Sequence, residues 1–402
     1  MVIVAPLALD REPESLGARA KLEVIIGILL KLGFRIHLVD STHPRLPAGS
    51  FWQSSRVAGK ATIEGAQISW SRPFTVANRR LGKLLNILFM RSLVRRLAAL
   101  NPCLVWIYNA YAFEGRLALK LSNRCRIPIL LELEDLPLAR HRRLNPKPYL
   151  DEYYFRRLMK KVSLITYVNH VLMQRYGGDG VRKLLLPSVL GNEFACAPPV
   201  RSRFLGPRYL LGYFGGLEVD KGADILLKLV AAMPEPWHLI VTGRGTLQRE
   251  FAAAAAEVPE RFTFLGVVER AQMISEMSRC DAIINPHRSI AAMGDGVFPF
   301  KVCESIATGA LLLSTRLPEI DIDTSRGVLF FDGSLTSMFE ALAGAKRFYD
   351  GQRTDIETLR ASVCERFGLV AVEHNLAKEI SQLVTLPSDA QRAITTLVAG
   401  AS

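Results

Sequence analysis

Short apolar runs, each of a length suited to one buried strand, alternate with helical patterns along the chain. The first half contains six of these runs, at residues 2–7, 35–41, 104–109, 128–134, 164–169 and 183–188. The second half contains six more, at residues 208–216, 237–243, 261–266, 281–286, 310–315 and 327–331. Strands separated by helices are typical of a parallel, doubly wound sheet. The pattern therefore predicts two α/β domains in tandem.

The boundary between the two domains is predicted in a stretch that lacks periodicity. Residues 190–208 are rich in Pro, Gly and Arg and fit an interdomain linker. We expect a first domain over residues 1–197 and a second over 198–370. Residues 371–402 are expected to form a C-terminal helix that packs back toward the first domain, followed by a tail. Two such domains facing each other would leave a cleft for a two-substrate reaction.

Composition excludes several classes of protein. With 402 residues, 49% of them hydrophobic and 22% charged, the chain is globular and long enough for two cores. The cysteines form no Cys-x-x-Cys pair and the histidines show no ligand spacing, so neither a disulfide framework nor a metal site is expected. No apolar run reaches the roughly 18 residues of a membrane-spanning helix. The opening MVIVAPLALDRE reads as a strand and not as a signal peptide, which predicts a cytoplasmic protein.

Charge is divided unequally along the chain. Residues 1–200 hold 30 Lys and Arg against 14 Asp and Glu, a net +16, whereas the remaining residues carry a net −3. This asymmetry predicts that the first half meets an anionic partner, either a membrane surface, a lipid phosphate or nucleic acid. Part of the positive charge lies in residues 78–100, where leucines recur at helical spacing between arginines. Two interpretations stay open: an interfacial membrane helix, or a surface helix whose apolar stripe joins the core.

The most informative stretch is VFPFKVCESIATG, residues 297–309, which places a Pro-Phe-Lys loop just before a helix that begins near Lys301. Backbone N–H groups at a loop-to-helix junction can bind phosphate, and the Glu304 carboxylate can accept hydrogen bonds from ribose hydroxyls. A helix that simply begins after Pro299 and ends at Gly309 would look the same. The preceding loop adds polar candidates at His287, Arg288 and the Gly-Asp-Gly of residues 294–296.

Two glycine turns follow strands earlier in the second half. Gly215 and Gly216 end the strand of residues 208–216, with Lys221 shortly before a helix, and the next strand runs into Thr-Gly-Arg-Gly at residues 242–245. Glycines let a backbone approach a pyrophosphate closely, and a lysine ammonium neutralises its charge. Because the carboxyl ends of parallel strands share one edge of a sheet, these turns and the Glu304 loop are expected to converge. They predict a nucleotide-sugar site.

The ordered segments FGGLEVDKG, VTGRGTLQRE, FTFLGVVERAQMISEMSRCDAIINPHR and GVFPFKVCESIATGALLLST, within residues 208–318, resemble the retaining glycosyltransferases of family four. The resemblance implies the GT-B fold, in which two Rossmann-like doubly wound domains face each other across a cleft. It also implies transfer of a sugar from a nucleotide diphosphate sugar with retention of anomeric configuration. No cofactor is implied and no metal is expected, since protein groups surround the diphosphate.

The resemblance assigns roles to individual residues. Lys221 is similar to the family's diphosphate-binding lysine, and Glu304 to the second glutamate of its E-x7-E motif, which holds the ribose. The chain departs from the family pattern at Gly216, where an arginine is expected, and at Gly296, where the first glutamate is expected. Asp295, or His287 and Arg288, could replace the missing polar contacts. The further donor-binding candidates are Gly215, Gly243, Arg244, Gly245, Val267, Asp295, His287, Phe298, Pro299, Phe300 and Lys301.

In the first half, residues 4–41 are similar to the family's opening strand, loop and helix, with Gly17 near the helix start. Glu134 and Asp135 stand where many members carry His-Asp at a strand end. A carboxylate there would orient the acceptor hydroxyl or take its proton; the alternative is a polar cap or a partner for Arg140, Arg142 and Arg143. Asn109, at the end of the strand of residues 104–109, is a further acceptor-side candidate.

The sequence thus predicts a retaining hexosyltransferase-type enzyme in which Glu304, Lys221, Asp135 and Glu134 carry the reaction. We expect a UDP- or GDP-sugar as donor, a saccharide or lipid-linked acceptor, and a role in polysaccharide or glycolipid biosynthesis at the inner face of the plasma membrane. A nucleotide-sugar-binding protein that has lost catalysis is the alternative, suggested by Gly216 and Gly296. Nucleic-acid binding is disfavoured because aromatic residues are not interleaved with the arginines.

Overall fold

A computed structural model describes residues 1–9, 16–42, 51–53, 58–135, 147–178, 180–195, 203–288 and 296–385. The chain divides into two compact units. The first unit comprises Met1–Val168, Leu172–Leu186 and Val372–Ser402, and the second comprises Asn169–Val171 and Pro187–Ala371. Each unit is built on its own parallel sheet.

In its described part, the first unit has an eight-stranded sheet in the order β10-β9-β8-β7-β1-β2-β5-β4, and all neighbours are parallel except β4 and β5. Two short strands, β3 and β6, pair separately. The strands are β1 (Val2–Ala5), β2 (His37–Asp40), β3 (Trp52–Gln53), β4 (Ala58–Ile63), β5 (Ala66–Ser71), β6 (Thr75–Val76), β7 (Val105–Tyr108), β8 (Ile129–Leu133), β9 (Leu164–Tyr167) and β10 (Arg182–Leu185). The helices over the same part of the chain are α1 (Leu16–Lys31), α2 (Arg79–Leu88), α3 (Arg91–Ala98), α4 (Ala112–Cys125), α5 (Lys147–Met159) and α6 (His170–Tyr176).

The central strands of this sheet are buried on both faces, as expected where helices cover a parallel sheet. Every residue of β1, β7, β8 and β9 is buried. Strand β1 pairs with β2 on one side and with β7 on the other, so the chain changes direction between β1 and β7. This topological switch point is the position at which doubly wound sheets bind ligands, beyond the carboxyl ends of the strands.

In its described part, the second unit has a six-stranded parallel sheet in the order β13-β12-β11-β14-β15-β16. Numbered within the domain this is the order 3-2-1-4-5-6, the Rossmann arrangement, with its switch point between β11 and β14. The strands are β11 (Tyr209–Phe214), β12 (Trp237–Thr242), β13 (Phe262–Gly266), β14 (Ala282–Asn285), β15 (Leu311–Ser314) and β16 (Val328–Phe330). The helices from residue 192 onward are α7 (Asn192–Ala195), α8 (Ala223–Ala231), α9 (Gln248–Glu257), α10 (Arg270–Arg279), α11 (Lys301–Ala307), α12 (Leu335–Phe367) and α13 (Leu369–Ser381).

The segment predicted as a linker contributes side chains to the second unit. Arg203 is buried and donates hydrogen bonds to the backbone oxygens of Ser278, Cys280 and Thr308, near the ends of α10 and α11. Phe204 packs edge-on against Trp237 at a ring-centroid distance of 5.8 Å. The guanidinium therefore satisfies helix-terminal carbonyls that would otherwise be buried without partners. Residues 196–202 of the same segment lie outside the described residues.

All twelve strands predicted from apolar runs are present, with ends that differ by a few residues. The hairpin of β4 and β5 was not predicted from the sequence. Its two turn residues are Glu64, with φ +47°, and Gly65, with φ +76°. Two successive left-handed residues form the type I′ turn that matches the twist of a two-stranded hairpin. The helical pattern over residues 78–100 is divided into α2 and α3, because Met90 leaves the helical range with φ −87° and ψ 4°.

Most of the apolar stripe predicted over residues 81–89 is exposed, although Leu85 is half-buried. Leu81, Leu84 and Leu88 lie on one face of the helix, and they are 44%, 42% and 50% exposed; Phe89, just beyond the helix, is 75% exposed. Helix α3 has the opposite arrangement, with Leu93, Val94 and Leu97 buried. Within the described residues, no helix is long and apolar enough to cross a membrane.

Candidate active site

The candidate donor site lies at the switch point of the second unit. Strand β11 pairs with β14 there, and the two strands continue into loops that carry Gly215 and His287 respectively. Strand β12, on the other side of β11, ends in the second glycine turn. The predicted convergence of these turns at one edge of the sheet is therefore present in the structure.

The two glycine turns pack backbone against backbone. Gly215 N donates to Thr242 O at 3.1 Å, and Leu217 N donates to Arg244 O at 2.9 Å. Gly243 has φ +135°, and a Cβ atom there would lie 1.9 Å from Gly215 O. Gly243 is thus required by the close approach of one turn to the other. The N–H groups of Gly215 and Gly243 are already bonded to Thr242 O and Gly266 O.

Lys221 lies at the end of a 3₁₀ turn, Val219–Lys221, that precedes α8. Its Nζ donates to Nε2 of His287 at 2.8 Å, which places the proton of the neutral imidazole on Nδ1. Burial of His287, with Lys221 and Lys301 nearby, lowers the pKa of its imidazole to about 2. Gly222, with φ +76°, allows this arrangement, since a Cβ there would lie 2.0 Å from Pro286 O. His287 is therefore an uncharged acceptor that orients the Lys221 ammonium.

Lys301 is the first residue of α11, and its side chain extends to the end of β11. Its Nζ lies 4.4 Å from the centroid of the Tyr213 ring. A Cβ atom on Gly215 would be 2.3 Å from the same Nζ, so the ammonium lies directly against the bare Cα of that glycine. Burial, reinforced by the charge of Lys221 and opposed by Glu304, lowers the pKa of Lys301 to about 7. The electrostatic interactions of Lys301 with Lys221 and with Glu304 place these three predicted residues in one cluster.

Glu304 is buried in α11 and already has a partner in this structure. Arg270 Nη2 donates to its carboxylate at 3.0 Å, and the same guanidinium pairs with Glu193 at 2.7 Å. Burial raises the pKa of Glu304, with Arg270 opposing the rise. The Arg270 guanidinium also lies 5.9 Å from the centroid of the Phe194 ring. Arg270 thus connects Glu304, the residue predicted to bind the ribose, to Glu193 in helix α7.

The other predicted donor-side residues lie in the loops that follow strands β11 to β14 and in the segment just before α11. Phe298 is buried, and Pro299 O and Phe300 O accept from the amides of Val302 and Cys303 as the loop turns into α11. The remaining candidates occupy varied positions: Gly216 is exposed, Gly245 packs against Leu217 O, Arg244 is half-buried, Val267 is exposed, Gly296 is buried and Arg288 pairs with Asp224. Asp295 lies outside the described residues.

In the first unit, Asn109 joins the ends of β7 and β8. Its Oδ1 accepts hydrogen bonds from the amides of Glu134 at 2.8 Å and Asp135 at 3.0 Å, and its own amide donates to Glu132 O at 2.8 Å. Asn109 has φ +57°, a left-handed conformation that asparagine tolerates better than most residues. The amide side chain therefore fixes the backbone that presents Glu134 and Asp135. Gly17, predicted near the helix start, lies in the first turn of α1.

A buried charge cluster lies beneath Glu134. Lys21 of α1 is 2% exposed and is paired with the carboxylates of Glu134 and, at 3.2 Å, Glu132. Its Nζ also donates to Leu186 O at 2.9 Å, and Trp106 Nε1 donates to Glu132 Oε2 at 3.2 Å. Because one ammonium faces two buried carboxylates, burial and Glu132 raise the pKa of Glu134 to about 7 against the opposing effect of Lys21. A carboxyl group with this pKa is matched to proton transfer near neutral pH.

Sequence reasoning missed four of these charged residues: Lys21, Glu132, Glu193 and Arg270. Two of them left a signal. The alternation in Leu-Glu-Leu-Glu places Glu132 and Glu134 on one side of the chain, and Lys21 interrupts an otherwise apolar helix surface. Glu193 and Arg270 left none, since both are ordinary surface residue types near helix starts. Among the described residues, no group of three or more His, Cys, Asp or Glu could hold a metal ion.

Comparisons with known proteins agree with this architecture. Residues 208–345 match the family model described as Glycosyl transferases group 1. At the level of sequence, no curated protein matches the chain.

Solved structures are similar over most of the chain. Sucrose-phosphate synthase from Thermosynechococcus elongatus superposes with a TM-score of 0.67 at 13% identity, covering 95% of this chain and 98% of that one. Anabaena Alr3699/HepE in complex with UDP gives a TM-score of 0.62 at 12% identity, covering 95% and 100%. The lipopolysaccharide outer core galactosyltransferase WaaB gives 0.61 at 11% identity, covering 95% and 99%. Together with the two Rossmann-like units, these similarities establish the GT-B fold.

Proposed function

We propose that the protein is a retaining glycosyltransferase that moves a hexosyl group from a UDP- or GDP-sugar to a saccharide or lipid-linked acceptor, in polysaccharide or glycolipid biosynthesis. The observation that carries this proposal is the cluster of Lys221, Lys301 and Glu304 at the switch point of a domain that matches the family model over residues 208–345. Two cations suit a diphosphate, and a buried carboxylate beside them suits ribose hydroxyls. Relatives in this fold crystallised with UDP, which is consistent with such a donor.

In the proposed reaction, Lys221 stabilises the negative charge that develops on the leaving diphosphate. Its ammonium is oriented by the neutral imidazole of His287 at 2.8 Å, so it requires little reorganisation when charge develops. Glu304 binds the ribose. Because protein cations supply this stabilisation, we propose that the reaction needs no metal ion and no cofactor.

On the acceptor side, we propose that Glu134 orients the attacking hydroxyl or takes its proton, with Asp135 beside it. The support is the raised pKa of Glu134, about 7, and the fixed backbone that Asn109 provides. Lys21 holds the carboxyl group in place from below. A substitution of Glu134 should therefore lower the rate of transfer while leaving donor binding unchanged.

Donor binding is tested by a thermal-shift screen against UDP-glucose, UDP-galactose, GDP-mannose and ADP-glucose, because a ligand of the folded state raises its unfolding midpoint. A shift with one nucleotide series is expected for the wild type and for Lys228→Ala, an exposed lysine of the same domain. Lys221→Ala and Glu304→Ala should each remove most of the shift. Equal shifts in all four proteins would place the donor elsewhere, and the absence of any shift would contradict the proposal.

Transfer is tested separately with the donor that binds. Incubation with labelled donor and bacterial lipid extract or oligosaccharide should yield labelled product, and NMR of its anomeric signal should show retention. Donor binding without release of nucleoside diphosphate in any mixture would instead identify the alternative, a nucleotide-sugar-binding protein without catalysis. Gly216, which is exposed and brings no side chain to the site, is the observation that favours this alternative.

We further propose that the acceptor reaches the protein at the inner face of an anionic membrane. The support is the exposed apolar stripe of α2 with Phe89, which lies next to the exposed Arg91 and Arg95 of α3. Leucine and phenylalanine side chains can enter the interfacial layer while arginines bind lipid phosphates. The net +16 of the first 200 residues complements the same surface.

Vesicle sedimentation tests this surface. Wild-type protein should bind vesicles that contain phosphatidylglycerol and should dissociate from them at high salt. It should not bind vesicles of pure phosphatidylcholine. Leu88→Ser with Phe89→Ser should weaken binding by about tenfold or more, whereas Leu100→Ser, an exposed leucine beyond α3, should change it little. Unchanged binding by the double variant, or a concentration-dependent dimer that the double variant abolishes, would contradict the membrane assignment.

A further inference from the structure

The Lys301 side chain is held in place without an ion pair among the described residues. It reaches from the first residue of α11 to the end of β11, where its ammonium lies over the Tyr213 ring and against the Cα of Gly215. Within the described residues, neither Lys301 nor Lys221 forms an ion pair with a carboxylate, and the Lys301 ammonium donates no hydrogen bond. A half-buried ammonium without a counterion is costly to keep charged. The charge of Lys221 lowers the pKa of Lys301 further, so this part of the site favours binding of an anion.

Among the residues that the structure describes, four titratable groups lie around Lys301. They are Tyr213 from β11, Lys221 from the 3₁₀ turn, His287 from the loop after β14, and Glu304 from one turn further along α11. His287 is neutral and Lys221 repels a second positive charge. Glu304 attracts one, but Arg270 already donates to its carboxylate. Within the described part of the chain, the positive charges near Lys301 therefore outweigh the negative ones, and an anionic ligand would restore the balance.

We propose that the Lys301 ammonium is a direct ligand of the donor's diphosphate, and that donor binding is coupled to uptake of one proton by Lys301. This inference rests on the proposed nucleotide-sugar function and adds to it the uptake of one proton by Lys301 when the donor binds. In the free protein, Lys301 is a mixture of amine and ammonium near neutral pH. When the diphosphate arrives, the amine nitrogen takes a proton from solvent buffer and becomes the ammonium that pairs with a phosphate oxygen; no other bond changes.

Gly215 is the structural counterpart of this lysine. A methyl group at that position would fall 2.3 Å from Nζ, within the space that the ammonium occupies. Gly215 does not have a left-handed φ, so an alanine there is not opposed by backbone strain. The absence of a side chain at Gly215 thus makes room for the Lys301 ammonium and is not required by the conformation of the turn. This separates Gly215 from Gly243, whose φ of +135° demands glycine.

Proton uptake is measured by isothermal titration calorimetry of a nucleotide sugar at one pH in buffers of different ionisation enthalpy. UDP-glucose, GDP-mannose and ADP-glucose are suitable probes, because their diphosphates are esterified at both ends and lack the terminal phosphate proton with a pKa near 6. With a Lys301 pKa of about 7, wild-type protein should take up roughly 0.9 proton per donor bound at about pH 8. The dissociation constant should rise about fivefold between pH 7 and pH 8.

Three variants isolate the lysine. Lys301→Arg, which stays charged, should bind the donor with no proton uptake and a flat pH profile. Lys301→Met should bind about tenfold or more weakly, also without uptake, yet unfold at the same or a higher temperature because an unpaired charge has been removed. Gly215→Ala should match Lys301→Met in losing both affinity and uptake. Lys228→Met, an exposed lysine on α8, should behave as the wild type.

The outcomes separate this inference from the function on which it rests. If wild-type protein binds a donor without taking up a proton, or if Lys301→Met binds as tightly as the wild type, the role of Lys301 is overturned and the donor site stands. Proton uptake that persists in Lys301→Arg would assign the proton to Glu304 and overturn the role of Lys301 as well. If none of the three nucleotide sugars binds the wild type, the proposed function fails and this inference fails with it.

Discussion

Lys21 is the residue on which the buried charge cluster of the first domain depends. It is the cation between Glu132 and Glu134, and its side chain is 1% exposed. A buried ion pair is a weak source of stability, but removing one partner leaves the other charged and desolvated. The cluster is therefore more costly to break than its net contribution suggests.

We expect Lys21→Met to lower the free energy of unfolding of the first domain by about 3–5 kcal/mol at neutral pH. Urea unfolding followed by tryptophan fluorescence measures this in a Trp237→Phe background, which removes the tryptophan of the second domain. Adding Glu134→Gln to Lys21→Met should recover part of the loss, because one fewer carboxylate is left unpaired. Lys31→Met is the control, since Lys31 is exposed and pairs only loosely with Glu373, at 3.8 Å. A loss below about 1 kcal/mol for Lys21→Met would show that the carboxylates are neutral or solvated without it.

Arg270 is expected to affect donor binding through its contact with Glu304. It donates to the buried carboxylate of Glu304, and it opposes the rise that burial causes in the Glu304 pKa. Without this guanidinium, Glu304 would be protonated at a higher pH and would lose its strength as an acceptor for hydroxyl groups.

Arg270→Met should therefore weaken nucleotide-sugar binding by about tenfold, and its effect should not add to that of Glu304→Gln in a double-mutant cycle. Arg279→Met is the matched control, because Arg279 ends the same helix and pairs with Glu276 away from the site. Tighter donor binding by Arg270→Met would mean the reverse role, with Arg270 competing against the ribose for Glu304.

At the scale of elements, the hairpin of β4 and β5 shows what a two-residue turn contributes. Its turn places Glu64 and Gly65 in the left-handed region, and nothing lies within 4 Å of a Cβ built on Gly65. Any cost of a side chain at Gly65 is then a cost of backbone conformation alone. The hairpin extends the edge of the first domain's sheet beyond β2.

Gly65→Ala should lower the stability of the first domain by about 1–2 kcal/mol, the cost of a left-handed conformation for an L-residue. Gly65→Asn should lose less, because asparagine tolerates this conformation better. The same urea measurement applies, with Gly178→Ala as control: Gly178 has equally open surroundings and no left-handed φ. Equal behaviour of the Gly65 and Gly178 variants would show that the hairpin does not contribute to the folded domain's stability.

At the scale of the whole molecule, strands and topology follow from sequence far better than charged contacts do. The central strands are continuous apolar runs because both faces of each sheet are covered. Their positions can therefore be predicted from the sequence. The hairpin over residues 58–71 was missed because its outer strand β4 is mostly exposed and mostly lacks an apolar pattern. Lys21 and Arg270 were missed because their partners are distant in sequence. The proposed catalytic chemistry therefore depends on three-dimensional pairings that periodicity does not encode.

Two buried groups, Glu134 and Lys301, predict opposite responses to pH in the two domains. Burial raises the pKa of Glu134 from 4.5 to about 7, so the folded first domain binds more protons than the unfolded chain between these values. Its stability falls as pH rises through that window. Lys301 has its pKa lowered from 10.5 to about 7, so the unfolded chain binds more protons between pH 7 and 10.5, and the second domain gains stability as pH rises there.

Scanning calorimetry at a series of pH values measures both effects if the two domains unfold in separate transitions. The transition assigned to the first domain should move down between about pH 5 and 7, and Glu134→Gln should flatten that movement. The transition assigned to the second domain should move up between about pH 7 and 9, and Lys301→Met should flatten it. Each variant serves as the control for the other, because each leaves the other domain's cluster intact. A first-domain transition that moves up between about pH 5 and 7 would contradict the role of Glu134, and a second-domain transition that moves down between about pH 7 and 9 would contradict that of Lys301.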